Sequence, residues 1–153
     1  MKINIIQAEP KHLIDCKISL QESELGRVYF TEENKIIRVL NNAISKKEIF
    51  VSIDKEHKCI GFIWFTLDGA FNKYPYLHMI VVKKEYRNYG VGKSLLQYFE
   101  EISVQTSSKV FLLVTDFNVR AKELYRKIGY NYIGVIPNFY KDGVNENLMV
   151  KDI

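Results

Sequence analysis

Apolar positions along this chain switch between an alternation of two and a spacing of three to four, the signature of strands interleaved with helices. Residues 2–7 (KINIIQ) read as a first strand. Pro10 sits where a first helical turn tolerates proline, and Leu13, Cys16 and Leu20 give the following helix an apolar side. Residues 21–30, carrying Glu22, Glu24 and Gly26, read as a loop. Thr31 followed by Asn34 is an acceptable helix start, and Ile36, Ile37, Val39, Leu40 and Ile44 continue at helical spacing. Residues 49–53 and 59–67 predict a hairpin around the polar turn 54–58, followed by a loop over 68–75 that holds Gly69 and Pro75.

In the second half, residues 76–82 (YLHMIVV) are apolar at nearly every position, which predicts a strand covered on both faces. Val91, Leu95, Phe99 and Ile102 then recur at helical spacing, with Leu96 widening the stripe. Residues 109–115 (KVFLLVT) repeat the buried-strand pattern. Residues 118–128 predict a helix with Ala121, Leu124 and Ile128 on one stripe and Gly129 as its C-terminal cap. Residues 130–140 and 146–151 read as two closing strands around Lys141-Asp142-Gly143. The order β-α-α-β-β-β-α-β-α-β-β predicts an α/β fold with one mixed central sheet flanked by helices. At 153 residues a single domain, 1–153, is expected.

Composition narrows the function classes. The chain is 47% hydrophobic and 26% charged, ordinary values for a globular protein. No segment approaches the roughly 18 consecutive apolar residues of a membrane span, and MKINIIQAEPKHL lacks the apolar region of a signal peptide. Cys16 and Cys59 show neither metal nor redox spacing. They are expected as small buried hydrophobes in a reducing cytoplasm, and no metal is expected. The net charge of +4 is concentrated, because residues 83–127 hold nine Lys/Arg and five Asp/Glu. Such a region suits a phosphate-rich cofactor or a nucleic acid, and equally describes a solvated basic face.

Between the strand at 76–82 and the helix that follows lies Arg87-Asn88-Tyr89-Gly90-Val91-Gly92. Gly90 and Gly92 let the backbone approach a ligand closely. The free N–H groups of a helix start, with its dipole, favour a phosphate there, and Arg87 and Lys93 flank the point with positive charge. This stretch resembles motif A of the GCN5-related N-acetyltransferase (GNAT) family, R/Q-x-x-G-x-G/A after a strand, with Arg87, Gly90 and Gly92 at its three fixed positions. One strand later, residues 118–130 (NVRAKELYRKIGY) are similar to that family's N-x-x-A-x-x-L-Y-x-x-x-G-F. Asn118, Ala121, Leu124, Tyr125 and Gly129 match, and Tyr130 replaces the final phenylalanine.

The resemblance implies an acetyl-CoA-dependent N-acetyltransferase that moves an acetyl group to a primary amine by direct transfer in a ternary complex. By position, the backbone of Ile80, Val81 and Val82 would bind the pantetheine arm as a partial extra strand does. Backbone N–H groups of Asn88, Tyr89, Gly90, Val91, Gly92 and Lys93 would hold the pyrophosphate. Asn118 would hydrogen-bond the cofactor, or serve only as a helix N-cap. Tyr125 is the expected general acid, since a tyrosine of pKa about 10 can protonate a thiolate whose thiol has a pKa of about 8.5; otherwise it packs at the helix edge. His78, Glu22, Glu24 and Asp116, the last just after a central strand, are the candidate bases; the plain alternatives are a core histidine for His78 and a solvated loop for Glu22 and Glu24.

The acceptor stays open between a small amine and a peptide. Asn138-Phe139-Tyr140 resembles a segment of ribosomal-protein N-terminal acetyltransferases, but Leu113 stands where those enzymes carry a catalytic glutamate. A non-catalytic acyl-CoA sensor or interaction module is a further alternative, because a fold does not dictate its use. Tyr86, Tyr89 and Tyr98 interleave with the basic residues as in a nucleic-acid binder, yet no nucleic-acid motif accompanies them, and neither nucleic acid nor membrane is expected as a partner. Exposed closing strands would allow a homodimer.

Overall fold

The computed structural model describes residues 2–153. Among these residues seven strands, β1 (Asn4–Gln7), β2 (Ile49–Ile53), β3 (Cys59–Ala70), β4 (Tyr74–Val82), β5 (Lys109–Thr115), β6 (Asn131–Lys141) and β7 (Val144–Asp152), form one sheet in the order β1-β2-β3-β4-β5-β7-β6. Five α-helices accompany them: α1 (Leu13–Gln21), α2 (Glu24–Tyr29), α3 (Glu33–Ser45), α4 (Val91–Ser103) and α5 (Val119–Lys127). The chain divides into two compact units, Met1–Phe65 with Met79–Phe99, and Thr66–His78 with Glu100–Ile153. The expected mixed α/β sheet is present, with one helix more than the pattern indicated.

In the first unit, β1 pairs antiparallel with β2 and β2 with β3. The apolar residues of α1 and α3 meet those of the strands: Cys16, Leu20, Ile36, Leu40, Ala43 and Ile44 share a buried cluster with Val51, Phe62, Met79 and Val81. Around α4, Phe50 stacks on Phe65 at 5.3 Å, and Phe65 tilts against Phe99 at 5.0 Å. Cys16 and Cys59, far apart in sequence, are both buried in this cluster. Their mutual hydrogen bond, then burial, pushes the Cys16 thiol up.

The loop expected over residues 21–30 carries α2 instead. Ser23 caps it, its Oγ accepting from the Gly26 N–H at 3.0 Å and donating to the Leu20 carbonyl at 2.6 Å. A Cβ on Gly26 would stand 1.8 Å from the Leu20 carbonyl oxygen, so the glycine that resembled a breaker is what lets α2 start against the end of α1. Helix α3 takes Glu32, not Thr31, as its N-cap, and Glu33 as the acidic residue of its first turn.

In the second unit, β5 pairs antiparallel with β7 from Lys109↔Asp152 to Thr115↔Glu146, and β6 pairs with the other side of β7. The parallel β4–β5 ladder comprises two pairs, Tyr76↔Phe111 and Leu77↔Leu112. The expected loop over 68–75 is a tight turn: Lys73 N–H donates to the Ala70 carbonyl at 3.1 Å, and Phe71 and Asn72 have φ of 57° and 56°. Positive φ at both central residues is the type I′ geometry that matches strand twist. Gly69 lies within β3 and Pro75 near the start of β4, where a proline is tolerated.

Two burial expectations need correcting. On β4, Leu77, Met79 and Val81 are buried, whereas Tyr76, His78, Ile80 and Val82 are half-buried, so one face only is sealed. On α5, the buried residue is Tyr125, and Leu124 is 36% exposed. Leu124 belongs to the apolar stripe by spacing, but the helix turns its aromatic residue inward.

Candidate active site

Beyond β4 the chain makes a single 3-10 turn over Lys84–Tyr86, reaches Arg87 in extended conformation and enters α4 at Val91. Asn88 (φ 69°) and Gly90 (φ 81°) are both left-handed, which turns the backbone sharply before the helix. The Gly90 carbonyl accepts from Ser94 N–H at 3.0 Å and so opens the helical ladder. Helix geometry leaves the N–H groups of Val91, Gly92 and Lys93 without intrahelical acceptors. Ideal Cβ atoms on Gly90 and Gly92 meet no atom closer than Val82 Cγ2, 3.8 Å from the one on Gly92. Among the described residues, no atom crowds a Cβ at Gly92. Three donors beneath open space fit an anionic phosphate.

Arg87 is only partly an exposed charge. Its Nε donates to the Val82 carbonyl at 3.1 Å and its Nη2 to the Glu22 carbonyl at 3.4 Å. The residue expected to flank a phosphate therefore also pins the turn, and it occupies one backbone acceptor of the Ile80–Val81–Val82 run. Those three residues take no part in the β4–β5 ladder, which ends at Leu77. Tyr89 and Lys93 are exposed, and Val91 is buried.

Glu22 and Glu24 also belong to the first unit. The Glu24 carboxylate pairs with Arg27 at 2.6 Å in an exposed i,i+3 bridge, and Glu22 is exposed. Lys83, expected as part of the basic window, pairs with Asp15 at 2.7 Å. The basic window is thus partly neutralised by structural pairs.

In the second unit, Asn118 caps α5, its Oδ1 accepting from Ala121 N–H at 3.3 Å. That bond uses the carbonyl oxygen and leaves the two N–H donors of the amide for other duty. Tyr125 is buried beside Tyr130, with ring centroids 5.7 Å apart. Burial pushes the Tyr125 hydroxyl up to about 12. Asp116 accepts from Asn147 Nδ2 at 3.0 Å, a bond that ties the end of β5 to β7.

His78 Nε2 lies 3.0 Å from Thr66 Oγ1, and its ring stands edge-on to Tyr76 at 4.8 Å. Burial pulls the imidazole down to about 4, so the ring is neutral at pH 7. Tyr76 is pushed up by its own burial and then by Tyr140, with which it shares a hydrogen bond, by Glu146 and by Tyr125. His78 and Tyr125 thus share a neighbour, and a buried carboxylate stands close to it. Sequence reasoning passed over Tyr76 and Glu146. The available signal was strand parity, since Glu146 shares one face of β7 with Leu148 and Val150.

The sequence pattern of the Acetyltransferase (GNAT) family matches residues 16–130, and the chain belongs to this family. It is similar to an N-acetyltransferase of Methanocaldococcus jannaschii, with 28% identity over 104 residues, 67% of this chain and 65% of that protein. An N-alpha-acetyltransferase of Sulfurisphaera tokodaii matches at 27% over 111 residues, 65% of this chain and 66% of that protein. The chain thus spans just under two thirds of the length of these curated relatives. In fold it is similar to Ard1 from Thermoplasma volcanium, with a TM-score of 0.81 and 22% identity over 100% of this chain and 99% of that one. Among the described residues no helix is long and apolar enough to cross a membrane, and no cluster of metal-ligating side chains occurs.

Proposed function

We propose that the chain acts as one acetyltransferase domain that transfers acetyl from acetyl-CoA to a primary amine by direct attack. The observation that carries this reading is the turn into α4, where left-handed Gly90 and uncrowded Gly92 leave backbone donors open beside a family-matching arginine. When bound, acetyl-CoA supplies an activated thioester. The N–H groups of Asn88 to Lys93 would hold its pyrophosphate, Ile80 and Val81 would offer backbone to its arm, and Asn118 would donate from its amide.

Tyr125 acts as the acid. A hydroxyl held protonated by burial to about pH 12 keeps its proton at neutral pH, ready for the departing thiolate. For the amine proton, His78 is a neutral acceptor at pH 7, and Glu22 is the carboxylate alternative, reached through water. Glu24 and Asp116 are weaker candidates, being engaged with Arg27 and Asn147. We assign the activity to the cytoplasm, where the thiols of Cys16 and Cys59 stay reduced.

A peptide α-amine is the second acceptor reading. It is favoured by the likeness to the Sulfurisphaera tokodaii N-alpha-acetyltransferase and by the exposed pair Phe139–Tyr140 on β6, whose rings meet at 4.6 Å. The deciding experiment incubates the protein with acetyl-CoA and a panel of peptides, polyamines and other amines, with mass spectrometry of the products. An acetylated product identifies the acceptor class. Acetyl-CoA binding without product would favour a sensor, and no binding would remove the enzymatic reading altogether.

A further inference from the structure

Position 146 holds a glutamate where the sheet is dry. Glu146 and Thr115 are each 2% exposed and stand directly opposite one another on β7 and β5. Directly paired residues project from the same face of a sheet. The Thr115 hydroxyl has no hydrogen-bond partner among the described residues. A buried hydroxyl left in that condition is unusual, because native interiors pair nearly all such groups. Ile136 of β6 lies opposite Glu146 on its other side and closes that flank with an apolar side chain.

The same face of the second unit supplies rings. Tyr76 is paired with Phe111 on the β4–β5 ladder, His78 follows two residues later on that face, and the two rings meet edge to face at 4.8 Å. Tyr140 is hydrogen-bonded to Tyr76, and the Glu146 carboxylate is close enough to oppose Tyr76 ionisation. The grouping is one buried carboxylate, one uncommitted hydroxyl and a set of electron-rich rings.

We propose that Glu146, with Thr115 and the rings of Tyr76 and Tyr140, binds the ammonium group of the acceptor amine. This rests on the acetyltransferase reading and names what the acceptor must carry. A primary ammonium has three N–H donors and no acceptor. Its charge needs a carboxylate in a dry site, its remaining N–H groups need oxygen acceptors such as Thr115 Oγ1, and its alkyl stem suits aromatic faces that also attract cations. The neutral imidazole of His78 places no competing positive charge beside the site. The expected acceptors are therefore amines that arrive protonated, with an apolar stem next to the nitrogen. Glu146 is an acceptor-binding residue here, and the donor is held by a different part of the chain.

The test titrates CoA-loaded protein by calorimetry with hexylamine and with its neutral counterpart hexanol, and with Ala-Ala-Phe and its N-formyl form. Acetyl-CoA affinity is measured separately, so failure of the donor reading shows as absent acetyl-CoA binding, independent of the amines. Hexylamine and the free peptide are expected to bind at least tenfold tighter than their neutral counterparts, and Glu146→Gln is expected to abolish that preference while leaving acetyl-CoA affinity unchanged. Equal binding of charged and neutral probes to the wild-type protein overturns the proposal, as does a preference that survives in Glu146→Gln. Should Glu146→Gln not fold, Thr115→Val decides: a severalfold weaker grip on hexylamine with hexanol unaffected supports the site, and an unchanged hexylamine affinity overturns it.

Discussion

Arg87 Nε donates to the Val82 carbonyl at 3.1 Å, so the last residue of β4 is tied to the turn that opens α4. The strand that would take the pantetheine arm and the turn that would take the pyrophosphate are held in register by one side chain. A charge-assisted hydrogen bond of this kind contributes about 1.5–3 kcal/mol. Arg87→Ala is expected to weaken acetyl-CoA binding about tenfold or more by calorimetry. Arg87→Lys keeps the charge but loses the planar guanidinium with its Nε–H donor, and is expected to recover only part of the affinity. Full recovery in the lysine variant would mean that charge alone is what Arg87 supplies.

The two glycines of the turn separate ligand binding from stability. Gly90 holds φ 81°, a conformation that costs a residue with a Cβ about 1–2 kcal/mol. Gly90→Ala should therefore lower the melting temperature. Gly92 has ordinary space around a Cβ and sits in the first turn of α4. Gly92→Ala should leave the melting temperature unchanged or raised, yet weaken acetyl-CoA binding about tenfold, because the added methyl fills the space a phosphate would use. Intact binding by this variant would refute the phosphate assignment.

Tyr125→Phe removes the buried hydroxyl and little else. General acid catalysis contributes typically 10²–10⁴-fold, so kcat is expected to fall by about a hundredfold or more with acetyl-CoA affinity preserved. Since the hydroxyl titrates near 12, the variant's pH–rate profile should run parallel to the wild type's up to about pH 10. A variant with unchanged kcat would leave Tyr125 as a packing residue.

His78 makes stability depend on acid. Its folded-state value of about 4 lies below the unfolded 6.5, so between those values the unfolded chain holds a proton that the folded chain does not. Stability from this group is then fully present above pH 6.5 and is lost as pH falls toward 4, by about 3 kcal/mol. Urea titrations at pH 7 and pH 4 should show that loss in the wild type and a smaller one in His78→Leu. The same drop in both would assign the acid sensitivity to other groups.

Most of the fold was legible because its long elements carry clean periodicity. The 13 residues of α4 and the seven of β5 fall where the apolar spacing put them. The errors share a physical origin. Gly26 and Gly69 look like chain breakers in isolation, yet Gly26 is demanded by contact with the Leu20 carbonyl, and Gly69 lies inside a strand. Phe71 carries no turn signal at all, since the neighbouring strands, not its own preference, hold it at φ 57°. The residues proposed to serve the donor, Arg87, Gly90, Gly92, Asn118 and Tyr125, each fall within one of two contiguous motifs, which is why the sequence could single them out. Tyr76, Thr115 and Glu146 come from three strands, and only the ladder brings them to one face, where Tyr140 joins by its hydrogen bond to Tyr76.

Gly26 also bears on anyone who would vary this protein's sequence. Variation introduced around the α1–α2 connection has wide freedom at Glu22, Glu24 and Arg27, all exposed. At position 26 the alphabet has one letter, because a methyl there would overlap the Leu20 carbonyl oxygen at 1.8 Å. A randomised library should keep that codon fixed and spend its diversity on the neighbours. Otherwise most clones would be lost to misfolding before any neighbouring change is sampled.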